Sequence, residues 1–240
     1  MENLARHENR SADAARPFAA TLSSMIAADG STGIAVPLSK FLANSRDSRD
    51  LRSAVKSTRP ALIADIAHFL CISHGRQPGI VDHAATKIID DEARGWLLAA
   101  TQGFSIERAY LTQLTVAAGP IARQQGQEKI TALLTNQSKS FAMLATSDRN
   151  GCAAGSAIAF VLDWRNTRPL IDECALSLGI EPPKCGLPSQ SDSIALADIL
   201  SQQPAKQRAM IFGVQQMLAQ QRGLWQLIAA RHTEMSRSHG

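Results

Sequence analysis

Thr58 to Gly75 reads TRPALIADIAHFLCISHG, with apolar residues at Leu62, Ile66, Phe69 and Leu70. Steps of four, three and one place these residues on one side of an α-helix, not on alternating faces of a strand. Thr58 is a fitting N-cap, Pro60 suits a first turn, and Gly75 can close the helix in the left-handed conformation. The same periodicity recurs upstream. Phe18, Leu22, Met25 and Ile26 predict a helix that stops at Asp29-Gly30. Residues 30–47 hold Gly30, Gly33, Pro37 and several serines, so they read as a loop with one short helical turn at most. A helix over Ser48–Lys56 follows.

Downstream, Gly79–Ala100 predicts a helical region in two pieces broken near Asp90-Asp91. Gly103 separates it from a helix at Ser105–Ala118, and Gln127–Thr146 is the next, with Ile130, Leu133, Leu134, Phe141 and Leu144 inward. The most apolar helix runs from Cys152 to Arg165. Pro169 then kinks it or opens a new helix capped by Thr167, which ends at Leu178-Gly179. Residues 179–192 read as a long loop and Ser193–Ser201 as a short helix. Pro204 opens a last helix to Met235, with a stripe of Ile211, Val214, Leu218, Trp225, Ile228 and His232.

Composition agrees. The 240 residues include 38 Ala, 24 Leu and 18 Ile against 6 Val and 1 Tyr, so helix formers dominate and most strand formers are scarce. The fold class is all-α: one domain over residues 17–235 with seven to nine helices, between flexible ends at 1–16 and 236–240.

Net charge is +4, from 25 Lys and Arg against 21 Asp and Glu. The excess is concentrated before residue 60, where basic and acidic residues interleave (Arg46, Asp47, Arg49, Asp50, Arg52). Interleaving describes a solvated helix face and argues against a nucleic-acid partner, which needs a dense basic stripe. Cys71, Cys152, Cys174 and Cys185 form no C-x-x-C and no zinc spacing. The charged start lacks the apolar stretch of a secretory signal, and Cys152–Leu162, the longest apolar run, is too short to span a bilayer. These features predict a cytoplasmic protein with reduced thiols and no membrane partner.

Several chemistries are missing their motifs. There is no G-x-G, no glycine-rich loop before Lys-Ser/Thr, no G-x-S-x-G, no H-E-x-x-H and no E-x-x-H, so no metal site or cofactor is assigned. The densest group of titratable residues is Asp65–His83, DIAHFLCISHGRQPGIVDH. Asp65 and His68 share a helix face, where the carboxylate can orient the imidazole. His74 points elsewhere on that helix. His74 and His83 bracket a Gly/Pro turn that can fold Arg76 and His83 over a pocket, or simply end a helix beside its dipole. A second candidate is the small-residue run from Gly151, where Gly155 admits either a flat ligand or a neighbouring helix. Asp163 and Trp164 follow one turn on; a buried Asp163 needs a partner, and Arg108, Arg168 or a histidine are candidates. Tyr110 shares a stripe with Ile106 and Leu114 and is expected inward with a hydrogen-bond partner, while Glu107 reads as an acid near a helix start.

An all-helical chain of this length, with inward histidines and aromatics and a small-residue helix at Gly151–Gly155, resembles the heme-oxygenase-like helical bundles. These include bacterial thiaminase II and relatives from pyrroloquinoline-quinone biosynthesis. Gly151–Gly155 is similar to the glycine-containing distal helix of heme oxygenases. The resemblance stops short of activity: His7 lies in the polar start, where no proximal histidine is formed, and the cysteine pattern of thiaminase II is missing.

Three readings follow. The first is a bundle binding or transforming a small organic ligand in an internal pocket, with a cavity touching at least two of Asp65, His68, Asp163 and Trp164. The second is a non-enzymatic scaffold or regulator acting through its surface as a homodimer. The third, a repressor with a basic N-terminal reader, lacks a helix-turn-helix within residues 17–60.

Overall fold

The helix that begins at Cys152 is the centre of the structure. The computed structural model describes residues 17–47, 53–121 and 127–238. Its helices are α1 (Phe18–Asp29), α2 (Thr32–Asp47), α3 (Ser53–His74), α4 (Ile80–Lys87), α5 (Arg94–Ala118), α6 (Gln127–Ala145), α7 (Cys152–Ser177), α8 (Gln190–Leu200) and α9 (Pro204–Ser238), with a 3-10 turn at Asp91–Ala93. No strand occurs among the described residues, and the fold is an all-α multi-helix bundle. Every residue from Cys152 to Trp164 is buried, as expected of a helix apolar on all sides. α7 packs lengthwise along α9 and is flanked by α2, α4, α6 and α8. The α7–α9 approach is close because Gly155 and Gly213 meet the facing backbone: a Cβ on Gly155 would overlap the carbonyl of Met210, and one on Gly213 that of Cys152. One contiguous apolar cluster draws on all nine helices.

The structure corrects the sequence reading in several places. Residues 30–47 are not a loop: α2 buries Ala35, Leu38 and Leu42 despite Pro37 inside it. Burial of that stripe outweighs the backbone bond lost at proline. The helix at Thr58 starts earlier, at Ser53, so Pro60 lies inside it and Thr58 is buried rather than a cap. Residues 48–52 of the expected Ser48–Lys56 helix lie outside the described residues, as does the expected flexible start at 1–16. Gly103 does not break α5; it is needed there because a Cβ would strike the Gly186 backbone. α7 continues through Pro169, and Thr167, instead of capping a new helix, donates back to the carbonyls of Asp163 and Trp164. Leu133 and Ile106, expected inward, are 60% and 44% exposed. α9 runs to Ser238, so the expected flexible end at 236–240 is helical for its first three residues.

Candidate functional site

α3 ends at His74, and a turn containing a cis Gln77-Pro78 bond leads into α4. A cavity of about 80 Å³ sits at this turn, closed by α5, α6 and α7. Its inner wall is aromatic: Phe104 from α5, Phe141 from α6 and Phe160 from α7. The His74 ring lies 4.9 Å from Phe141, 5.2 Å from Phe160 and 5.5 Å from Trp164, the last edge-on. Ser73, Ser138, Arg76 and His83 add polar side chains, and Pro78, Gly79, Ile80 and Ala142 complete the lining.

The polar groups differ in their partners. His74 is buried, and its Nε2 donates to Gln221 Oε1 at 3.0 Å. Burial among aromatic rings pushes its pKa down to about 3, with the Gln221 bond opposing. The ring is therefore neutral at physiological pH, protonated on Nε2 and carrying a lone pair on Nδ1. The Ser73 hydroxyl is buried with no hydrogen-bond partner, although a helical serine ordinarily bonds the carbonyl one turn back. Arg76 is exposed and His83 half-buried, which sets both on the outer side. Asp82, on the first turn of α4, is held by Arg108 through bonds of 2.9 and 3.5 Å and accepts the Gly79 amide at 2.8 Å. Among the described residues no carboxylate lines the cavity.

Behind the aromatic wall lies a buried polar network. Trp164 Nε1 and Arg168 Nε both donate to Glu107 Oε2, at 3.0 and 2.7 Å. Arg168 also pairs with Asp172 and donates to the Pro183 carbonyl, fixing the 179–189 segment. Tyr110 is buried and donates to Asp172 at 3.0 Å. The residue read as a helix-start acid, Glu107, is thus a fully buried ion-pair partner in the middle of α5.

Of the residues singled out in the sequence, His74 and His83 share the cavity with Arg76. Asp65 does not orient His68: it faces the buried Arg231 at 2.9 and 3.2 Å, and burial raises its pKa against that cation. His68 Nε2 donates to the Gly119 carbonyl at 2.7 Å. Asp163 pairs with none of Arg108, Arg168 or a histidine; it accepts the Ser31 amide at 2.7 Å and hydroxyl at 2.6 Å, and burial raises its pKa. Gly155 packs on α9 rather than under a ligand. Among the described residues no group of three metal-binding side chains converges, and no helix is long and apolar enough to cross a membrane. A more open groove of about 510 Å³ runs over Ile26, Leu162 and Arg165. Asp65, His68, Asp163 and Trp164 line neither this groove nor the cavity, so the cavity expected to touch two of them is found at neither place.

The sequence reading missed Ser73, Ser138 and the aromatic wall. Phe104 and Phe160 gave no signal because an inward aromatic reads as core, and nothing local distinguishes a hydroxyl with a partner from one without. No curated protein and no solved structure matches the chain. Residues 42–236 do match a described family, and on that span the chain belongs to a family of unknown function, DUF6975.

Proposed function

We propose that the protein binds a small organic molecule in the pocket at the α3–α4 turn. The observation that carries this reading is the Ser73 hydroxyl, buried in the pocket wall without a partner. Buried polar groups in folded proteins are nearly always hydrogen-bonded, and an orphan lining a cavity marks the place of a missing partner. The family match supports the choice of site. Every lining residue falls within 42–236, whereas the larger groove takes Ser23, Ile26, Ala27 and Thr32 from outside that span. A volume near 80 Å³ is well below the roughly 300–1,000 Å³ of common ligand pockets, so the ligand has few non-hydrogen atoms. It is far too small for a tetrapyrrole, and we keep the heme-oxygenase-like comparison for helix arrangement alone; superposing an experimental structure on such a bundle tests it.

The chemistry favours binding over turnover. A histidine that protonates only near pH 3 is a weak proton acceptor at neutral pH, poorly matched to general-base work. The test is a ¹H–¹⁵N titration with propionate, propionamide, 1-propanol and propylammonium, in the wild type and in Ala142→Phe, which fills the cavity from α6. Saturable shifts at Ser73, His74 and Phe141 in the wild type alone support the reading. No response to any probe, or equal responses in both proteins, overturns it.

One observation favours the surface reading. Ile89 and Leu98, 91% and 58% exposed, line one groove beside Ile88 and Leu97. This apolar patch supports a homodimer, and sedimentation showing the monomer mass at all concentrations would remove it. Four free cysteines support a reducing, cytoplasmic setting, which cell fractionation tests.

A further inference from the structure

We propose that the ligand of this pocket is a small carboxylic acid carrying a hydroxyl donor, its carboxylate between Arg76 and His83 and its hydroxyl inside at His74 and Ser73. The inference rests on the reading of the pocket as a ligand site. The outer lining carries the positive charge of Arg76, and no lining side chain among the described residues cancels it. Arg76 and His83 line it, among the described residues no carboxylate does, and Asp82 on the first turn of α4 is occupied by Arg108 and the Gly79 amide. Gly79 and Ile80, where α4 begins, lie on the same wall, so the positive end of that helix adds to the potential. The deep end is different: aromatic rings, a neutral imidazole and an unused hydroxyl.

Hydrogen-bond direction sets the ligand's inner group. His74 uses its N–H on Gln221, so its Nδ1 can only accept. An entering ammonium would meet that acceptor but would also lose its water among phenyl rings with no anion to pair it, a costly burial. A hydroxyl donates to Nδ1 and accepts from Ser73 Oγ, satisfying both groups with one atom. The carboxylate then stays at the outer end, where the guanidinium of Arg76 and the ring of His83 reach it through charge-assisted bonds. A few-atom hydroxy acid matches both the size and the polarity gradient.

The test compares 2-hydroxypropionate, propionate, propionamide and propylammonium by calorimetry and by the Ser73 and His74 amide shifts, on the wild type, Arg76→Gln and His83→Gln. Arg76 is exposed, so its replacement leaves folding intact. Propionate is expected to bind about tenfold or more tighter than propionamide, and the hydroxyl to add about threefold. In Arg76→Gln and His83→Gln the carboxylate preference shrinks while propionamide binding holds. Equal affinity for propionate and propionamide, or a preference that survives both substitutions, overturns the carboxylate assignment and leaves a small-molecule pocket standing. No shift with any of the four overturns the pocket reading and this inference together.

Discussion

Ser73 and His74 are neighbours in sequence and line one cavity, yet they are satisfied in opposite ways. His74 reaches Gln221, while Ser73 reaches nothing. Leaving a buried hydroxyl unpaired costs about 1–3 kcal/mol, so Ser73→Ala is expected to leave stability unchanged or raise it by about 1 kcal/mol. A loss above 1 kcal/mol in urea unfolding would mean the hydroxyl has a partner in solution. His74 makes stability depend on pH. The unfolded chain protonates this ring near pH 6.5 and the folded one only near 3. Above 6.5 neither form holds the proton. Below it the unfolded chain binds a proton that the folded chain refuses, so stability falls by up to about 1.4 kcal/mol per pH unit until pH approaches 3. Unfolding at pH 7, 6 and 5 should show this slope in the wild type and a shallower one in His74→Gln, where the half-buried His232 still contributes. Parallel curves would contradict a neutral, buried ring.

The glycines of the α7–α9 contact are placed for close approach, and this is where helix-level predictions belong. Gly155→Ala must push α9 away, because the added methyl overlaps the Met210 backbone; such overpacking costs about 1–3 kcal/mol. Gly95, in the first turn of α5, has open space around it, and Gly95→Ala should be neutral or stabilising by up to about 1 kcal/mol. Thermal melts of the two variants should shift in opposite directions or differ clearly in size. Helical periodicity was legible for α1, α6 and α9 because each shows its stripe locally; α8 begins at Gln190, inside the expected 179–192 loop, because Ser189 caps it by accepting the Asp192 amide. α2 was not: Gly33 and Pro37 argue for a loop, and only the burial of Leu38 and Leu42, together with Ser31 meeting Asp163, makes it a helix. Pro169 misled in the same direction: α7 continues through it, with Arg168 and Leu170 on either side of it buried.

At the scale of the whole molecule, buried ion pairs join helices far apart in sequence. Asp65 and Arg231 are 166 residues apart, and Glu107 and Arg168 are 61. No spacing rule finds such partners, which is why the sequence paired Asp65 with its helix neighbour His68 and marked Asp163 as a carboxylate on an apolar face without finding Arg231 or Ser31. It did bring His74, Arg76 and His83 together, because a Gly/Pro turn between two helices constrains them locally. Arg231→Met should lose about 3–5 kcal/mol by stranding the Asp65 carboxylate, and the added change Asp65→Leu should recover most of it. Equal losses in the single and double variants would show that the pair itself, and not the stranded charge, dominates. The function rests on whether the cavity beside these braces takes a ligand. The most direct measurement follows the Ser73 and His74 amide resonances during titration with 2-hydroxypropionate, in the wild type and in Ala142→Phe. Saturable shifts in the wild type and none in the filled variant are expected; unchanged resonances in the wild type, or the same shifts in both, would contradict the account.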